Sequence, residues 1–91
     1  MTAMEVLKAS KLFTSNTDII RFVKQKGVKI NGELVEDVNE VIEKGDFLNF
    51  VWFPHAFEFV KQHGLNLLIV AKGKSRVLLK VNGEDIEILE S

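Results

Sequence analysis

Asn31-Gly32, set between Val28-Lys29-Ile30 and Glu33-Leu34-Val35, constrains the fold of this chain more than any other feature. A two-residue type I′ turn needs positive φ at both central positions, and Asn followed by Gly meets that need at little steric cost. The alternating residues on either side predict a tight hairpin with Val28 and Ile30 facing a core. Gly27 stands just before the first strand, where a left-handed residue ends a helix. The helix so ended spans Thr17 to Lys26, with Ile19, Ile20 and Val23 on its inner side and Phe22 near the edge. Arg21, Lys24 and Gln25 lie largely opposite, and Lys26 suits the last turn electrostatically. Ser15 followed by Asp18 has the shape of a capping box, with Thr14 and Asn16 as competing caps.

The rest of the chain is read outward from this helix and hairpin. Met4, Val6, Leu7 and Leu12 predict a short first helix that must lean on a partner, since so short a helix does not persist alone. Glu36 to Glu43 predicts an acidic turn with a short helical piece around Val38, Val41 and Ile42. Phe47 to Phe53 is apolar on nearly both rows and reads as a doubly covered strand, with Trp52 as a core anchor. Between Pro54 and Gly64, the stretch His55 to His63 reads as a helix, with an extended strand through Phe57 and Phe59 as the alternative. Leu65 to Ala71 and Arg76 to Val81 predict strands around Lys72-Gly73-Lys74-Ser75. A second Asn-Gly, Asn82-Gly83, leads into Ile86, Ile88 and Leu89, completing an antiparallel meander. The echo between Lys29-Ile30-Asn31-Gly32-Glu33 and Lys80-Val81-Asn82-Gly83-Glu84 is repeated hairpin chemistry, since the flanking residues do not match.

Ninety-one residues suit one domain of modest core. With no cysteine, disulfides, thiolate catalysis and cysteine-bound metals are excluded. No apolar run approaches the roughly 18 residues that span a bilayer, so no membrane partner is expected. Glu5, Lys8 and Lys11 interrupt the first apolar residues, unlike a signal peptide, and a cytoplasmic location is the expectation. The net charge of −1 hides a strong pattern. Residues 1–30 carry six basic and two acidic side chains, and residues 61–80 five basic and none acidic. Residues 31–60 carry one basic and seven acidic, and residues 81–91 four acidic. A chain neutral in sum can still present a basic face, because local potential governs encounter.

Chemistry within the chain finds little support. Lys72-Gly73-Lys74-Ser75 lacks the upstream glycine of a phosphate loop, since Asn66-Leu67-Leu68-Ile69-Val70-Ala71 precedes it. It is either a solvated turn or a basic hairpin tip. His55 and His63 stand too far apart on a helix for a neighbouring-turn metal pair, and no metal or other cofactor is expected. Glu36, Asp37, Glu40 and Glu43 read as a solvated acidic side, and Ser15 lacks nearby triad partners, so no catalytic residue is assigned. Arg21 and Lys24, one helical turn apart, can meet successive backbone phosphates, or they form an ordinary wet helix face. Lys29 extends that surface and Lys11 borders it.

Ser15-Asn16-Thr17-Asp18-Ile19-Ile20-Arg21-Phe22-Val23-Lys24-Gln25-Lys26-Gly27-Val28-Lys29-Ile30-Asn31-Gly32-Glu33 resembles the signature of the S4-type RNA-binding domain. That pattern has a serine opening the second helix, an acid three residues on, an Ala-Arg-Arg-like centre, a Gln-Gly-Gly-Val-like turn and a Val-Asn-Gly hairpin. Gly45-Asp46 is similar to the family's Gly-Asp before its next strand. The likeness covers residues 4 to about 53. Ile20 stands at the first of the paired arginines, Lys26 at the first of the paired glycines, and Ile19 at a small alanine. The resemblance implies an α+β fold: an S4-like (alpha-L) helix pair with hairpin over about 4–53, extended by a C-terminal antiparallel β meander over about 54–91, together one domain.

What the family implies is a non-catalytic module that docks on structured RNA, tRNA or rRNA, through its basic second helix and hairpin. Such modules position RNA in ribosomal protein S4, in pseudouridine synthases and in bacterial tyrosyl-tRNA synthetases. Met4-Glu5-Val6-Leu7 through Gly27 also resembles the start of the synthetase's carboxy-terminal domain, and Val70 to Arg76 loosely its Gly-Lys-rich hairpin. The expected RNA contacts are Arg21 and Lys24, then Lys29, Lys26 and Lys11, with Lys72, Lys74 and Arg76 as a second patch. Two other readings stand beside this one. In the first, Phe53, Phe57 or Phe59 leaves an aromatic surface for a protein partner or a homodimer. In the second, the chain is the appended tRNA-binding domain of a tyrosyl-tRNA synthetase.

Overall fold

The computed structural model describes residues 1–42, 58, 61, 62, 64, 66–83 and 85–90. Two helices are followed by a five-stranded, open antiparallel sheet, giving an α+β fold. The helices are α1 (Ala3–Ser10) and α2 (Asn16–Lys24). The strands are β1 (Val28–Ile30), β2 (Glu33–Leu34), β3 (Leu67–Lys72), β4 (Ser75–Asn82) and β5 (Asp85–Glu90), in spatial order β2-β1-β3-β4-β5. The hairpin of the first half and the meander of the second are thus one sheet, joined where β1 pairs with β3.

Helix α1 begins before its predicted start at Met4 because Thr2 and Glu5 form a reciprocal capping box. Two more of its leading N–H groups are met from a distance. Ala3 N–H donates to the Glu40 carbonyl at 2.8 Å and Met4 N–H to the Val38 carbonyl at 2.9 Å. This docking holds the acidic segment as a turn against α1, rather than the short helical piece expected between Glu36 and Glu43. The Glu40 carboxylate accepts from Glu36 N–H at 2.7 Å and Asp37 N–H at 2.9 Å, and Val41 bridges Thr2. At its other end α1 stops at Ser10 instead of Leu12, with Lys11 left-handed at φ 57.

Helix α2 is capped by the Ser15 hydroxyl, which accepts the Asp18 N–H at 3.1 Å. The Asp18 carboxylate reaches past Ser15 and accepts from Thr14 N–H at 3.2 Å, so the reciprocal arm of the box lands one residue earlier. The far end is a Schellman turn with an unexpected occupant. Lys26, not Gly27, takes the left-handed conformation at φ 60. Lys26 N–H bonds Val23 O and Gly27 N–H bonds Phe22 O, each at 3.0 Å. Ile19 and Val23 face the core as expected, but Ile20 is 39% exposed, and Phe22 is half-buried against Phe13.

Asn31 and Gly32 both have positive φ, 53° and 82°, as the predicted turn requires. Asn31 does more than turn the chain. Its N–H donates to the Ile69 carbonyl at 2.8 Å, and its side-chain Oδ1 accepts the Ile69 N–H at 2.8 Å, carrying the β1–β3 ladder past the end of β1. The echoing Asn82-Gly83 works differently: Asn82 pairs with Asp85, so Gly83, at φ 60, opens the β4–β5 turn. Strands β3 and β4 lie within a residue or two of the predicted ranges.

Residues directly opposite in an antiparallel ladder share a face. On one face Val28, Ile30, Val70, Val77 and Leu79 form a single core with Val6, Leu7, Ile19 and Val23 of the helices. On the other face, Lys29, Ala71 and Arg76 make a cross-strand row. The strand expected over Phe47 to Phe53, Trp52, Gly45-Asp46 and the aromatics Phe53, Phe57 and Phe59 lie outside the described residues. Of His55 to His63, Glu58, Lys61 and Gln62 are described and are helical.

Candidate nucleic-acid interface

The eight cations expected to contact RNA fall into three groups. Arg21 and Lys24 project from α2, and both are exposed. Arg21 Nη2 donates to Asp18 Oδ1 one turn back, yet the side chain stays 62% exposed. Its guanidinium carbon lies 5.4 Å from the Phe22 ring centroid. A guanidinium has five N–H donors, so the Asp18 bond orients the group and leaves others for an anion. Lys24 forms no ion pair with a described residue.

Asp18 is itself nearly buried, and its carboxyl is held below the usual value of 3.8. The main cause is the bond from the Thr14 backbone N–H, with the charges of Arg21 and Lys72 adding to it and desolvation opposing them. The carboxylate is therefore ionised at neutral pH and fixes three things at once: the first turn of α2, the loop before it, and Arg21.

Lys72 forms a second group by itself, apart from the turn cations Lys74 and Arg76. Opposite Val28 in the ladder, it points to the helix side of the sheet. Its Nζ donates to the Leu12 carbonyl at 2.9 Å, and lies 4.5 Å from the Phe22 centroid and 5.2 Å from that of Phe13. The two rings meet edge-on at 5.8 Å. Lys72 thus pins the α1–α2 loop to the sheet through two ring faces and one carbonyl. Phe13 and Phe22 were the residues sequence reading gave no role here. An aromatic just before the α2 cap and another inside α2 carried the signal, but what sat between them came from far along the chain.

The third group surrounds a cleft of about 240 Å³ lined by Lys26, Gly27, Lys29, Gly32, Ile69, Ala71, Gly73 and Arg76. Lys26 comes from the turn closing α2, Lys29 from β1 and Arg76 from β4, so the two positive stretches of sequence meet at one place. Gly73 N–H donates to the Gly27 carbonyl at 3.3 Å, tying the β3–β4 turn to the end of α2. Gly73 has φ 58 and Lys74 is not left-handed, so glycine fills the first central position of the turn. Lys74 is exposed at that turn, and Lys11 is exposed at the end of α1; neither lines the cleft.

Among the described residues no group of His, Asp and Glu could hold a metal ion, and no helix is long and apolar enough to cross a membrane. No protein-family model, curated protein or solved structure matches the chain. Among the described residues, the fold is α+β, with the α1–α2 pair, an open antiparallel sheet and cations gathered from helix, hairpin and meander.

Proposed function

We propose that this chain is a non-catalytic RNA-binding module that docks on structured RNA, tRNA or rRNA, through α2 and the hairpin behind it. The observation that carries the reading is the exposure of Arg21 and Lys24 on α2, with Lys26 and Lys29 exposed in the turn and strand that follow it. The Ser15 cap, the Schellman turn and the Asn31-Gly32 turn each fix a piece of backbone between them. Ordered cations lose less freedom on meeting phosphate than cations on a flexible tail. The stretch from Val38 to Glu40 is engaged at the start of α1, with the Glu40 carboxylate turned onto its own backbone at Glu36 and Asp37. The resemblance of residues 15–33 to the S4-type signature supports the same reading, and Lys26 fits it physically. It sits at positive φ, where that pattern has a glycine.

The test is RNA binding as a function of salt. Arg21→Gln/Lys24→Gln should keep the far-UV spectrum of the parent and bind tRNA and rRNA hairpins more weakly. The slope of log K against log salt should fall by roughly 0.7 to 0.9 for each phosphate contact removed. Unchanged affinity in a folded double variant would remove α2 from the interface. A stable dimer with no salt-dependent RNA binding would replace this reading with a protein-interaction module. Strong preference for a single tRNA would favour the synthetase appendage.

A further inference from the structure

We propose that Ile20 contacts an unpaired base, so that α2 takes RNA at a loop or bulge in preference to a continuous duplex. This rests on the function proposed above and adds the class of RNA that the same surface selects.

Thr17, Ile20, Arg21 and Lys24 stand three and four positions apart, so they form one stripe along α2, and all four are exposed. Isoleucine is the odd member of that stripe. Ile19 and Val23 turn into the core and Phe22 packs against it, but Ile20 is 39% exposed and joins neither. Its neighbours one turn away are Asn16, Thr17, Val23 and Lys24, so no carboxylate stands beside it on the helix. Among the described residues two other large apolar side chains are similarly open, Val41 and Ile88. Val41 bridges Thr2 and Ile88 lies on β5, so Ile20 is the one set among the α2 cations. Nothing in the helix recommends isoleucine there, since a β-branched residue forms helix less readily than lysine, arginine or glutamine.

The chemistry beside Ile20 selects its occupant. Phosphates held by Arg21 and Lys24 bring an RNA strand onto this face, and the Lys24 and Ile20 Cβ atoms are about 5–6 Å apart. An apolar side chain gains nothing from a phosphate or a ribose hydroxyl, and gains by covering the face or edge of a base. In a continuous A-form duplex the base faces are stacked out of reach, and the accessible surface is sugar and phosphate. Loops and bulges splay their bases out, within one nucleotide of the phosphates that carry them. Two cations flanking one open isoleucine therefore suit an unpaired nucleotide, its phosphate on the cations and its base on Ile20.

The test labels the isoleucine δ1 methyl groups of the full chain with carbon-13 and titrates it with two RNA hairpins. The hairpins share a stem and a phosphate count; one loop carries its bases and the other is abasic. A base over Ile20 should move its methyl upfield by ring current, and the abasic loop should leave it in place. Ile20→Ala, which keeps the helix, should weaken binding of the first hairpin roughly three- to tenfold. The same variant should leave the second hairpin and both salt slopes unchanged. Equal methyl shifts from both hairpins, or an Ile20→Ala loss shared by both, would overturn the proposal, since the contact would then be to the backbone. An unmoved methyl in a complex that still depends on Arg21 and Lys24 would also overturn it, with the function left standing. If neither hairpin binds in a salt-dependent way, the function itself fails and the Ile20 contact falls with it.

Discussion

Lys72 and Arg76 are four positions apart and carry the same charge, yet the sheet gives them opposite surroundings. Lys72 pairs with Val28 and faces the helices, where a carbonyl and two aromatic rings hold its ammonium. Arg76 pairs with Ala71 and shares a face with Lys29, on the rim of a cleft. Successive strand residues point to opposite faces, so position in the ladder settles which cation packs against the helices and which lies on the far face. The difference teaches that a basic stretch of sequence is not one surface. Charge counted along the chain overstates the binding face by every cation the fold uses internally.

Replacing Lys72 tests this division with the largest expected effect. Lys72→Met keeps the apolar stem and removes the charge. The variant gives up a charged hydrogen bond and two ring contacts, for a loss of about 1 to 2 kcal/mol. In a domain of this size that lowers the melting temperature by roughly 4–8 °C for each kcal/mol. The salt slope of RNA binding should stay that of the parent. A fall in slope at unchanged stability would put Lys72 with the phosphate-facing cations and erase the distinction between the faces.

How much of this was legible in the sequence follows the distance over which each feature is determined. The Asn31-Gly32 turn, the Ser15 cap and strands β3 and β4 are set by neighbouring residues, and composition and alternation reveal them. The Thr2–Glu5 box is equally local, but it lies ahead of the apolar residues from Met4 onward that mark the helix. The pairing of β1 with β3 joins Val28 to Lys72 across the middle of the chain, and no local pattern announces it. The Lys72 contact with Leu12 spans 60 residues. Lys72 therefore reads as a turn cation, and nothing local ties it to Phe13 or Phe22. The cleft was hidden for the same reason, since its lining comes from six strand and turn segments. Even the end of α2, a local feature, was displaced by one residue, because Gly27 drew the left-handed assignment that Lys26 holds.

That displacement sharpens the comparison in a second way. Lys26 is an exposed cation in a conformation that costs an ordinary L-residue roughly 1 to 2 kcal/mol and glycine almost nothing. Lys26→Gly should therefore raise stability by about 1 kcal/mol. If Lys26 meets phosphate, the salt slope should fall by roughly 0.7 to 0.9 in the same variant. Lys26→Ala separates the two effects, since it removes the charge and keeps the strained backbone. Its slope should match the glycine variant and its stability should not rise. Urea unfolding and salt-dependent binding on the same three proteins decide it. A glycine variant more stable and bound as tightly as the parent would make Lys26 a tolerated strain with no part in recognition.

The smallest effect concerns Asp18, which touches both sides of the division through Arg21 and Lys72. Its folded-state carboxyl is held below the ordinary value of 3.8, chiefly by the Thr14 N–H and then by the two cations. A carboxyl depressed in the folded state binds its proton more readily when unfolded. Its contribution is therefore complete above the unfolded value and is lost as pH falls through the folded one. The chain should lose stability on acidification below about pH 4, over and above the loss shared by its other carboxyls. Asp18→Asn removes that component, so the gap between parent and variant should be widest near neutrality and narrow toward pH 3. Urea unfolding at several pH values measures it. A gap independent of pH would mean that the Asp18 charge adds nothing and that the side chain works only as a neutral acceptor for Thr14. At neutral pH the same variant frees Arg21 from its carboxylate. If Arg21 meets RNA, the variant should bind somewhat more tightly while being less stable, a pairing of signs that damage to the fold alone does not produce.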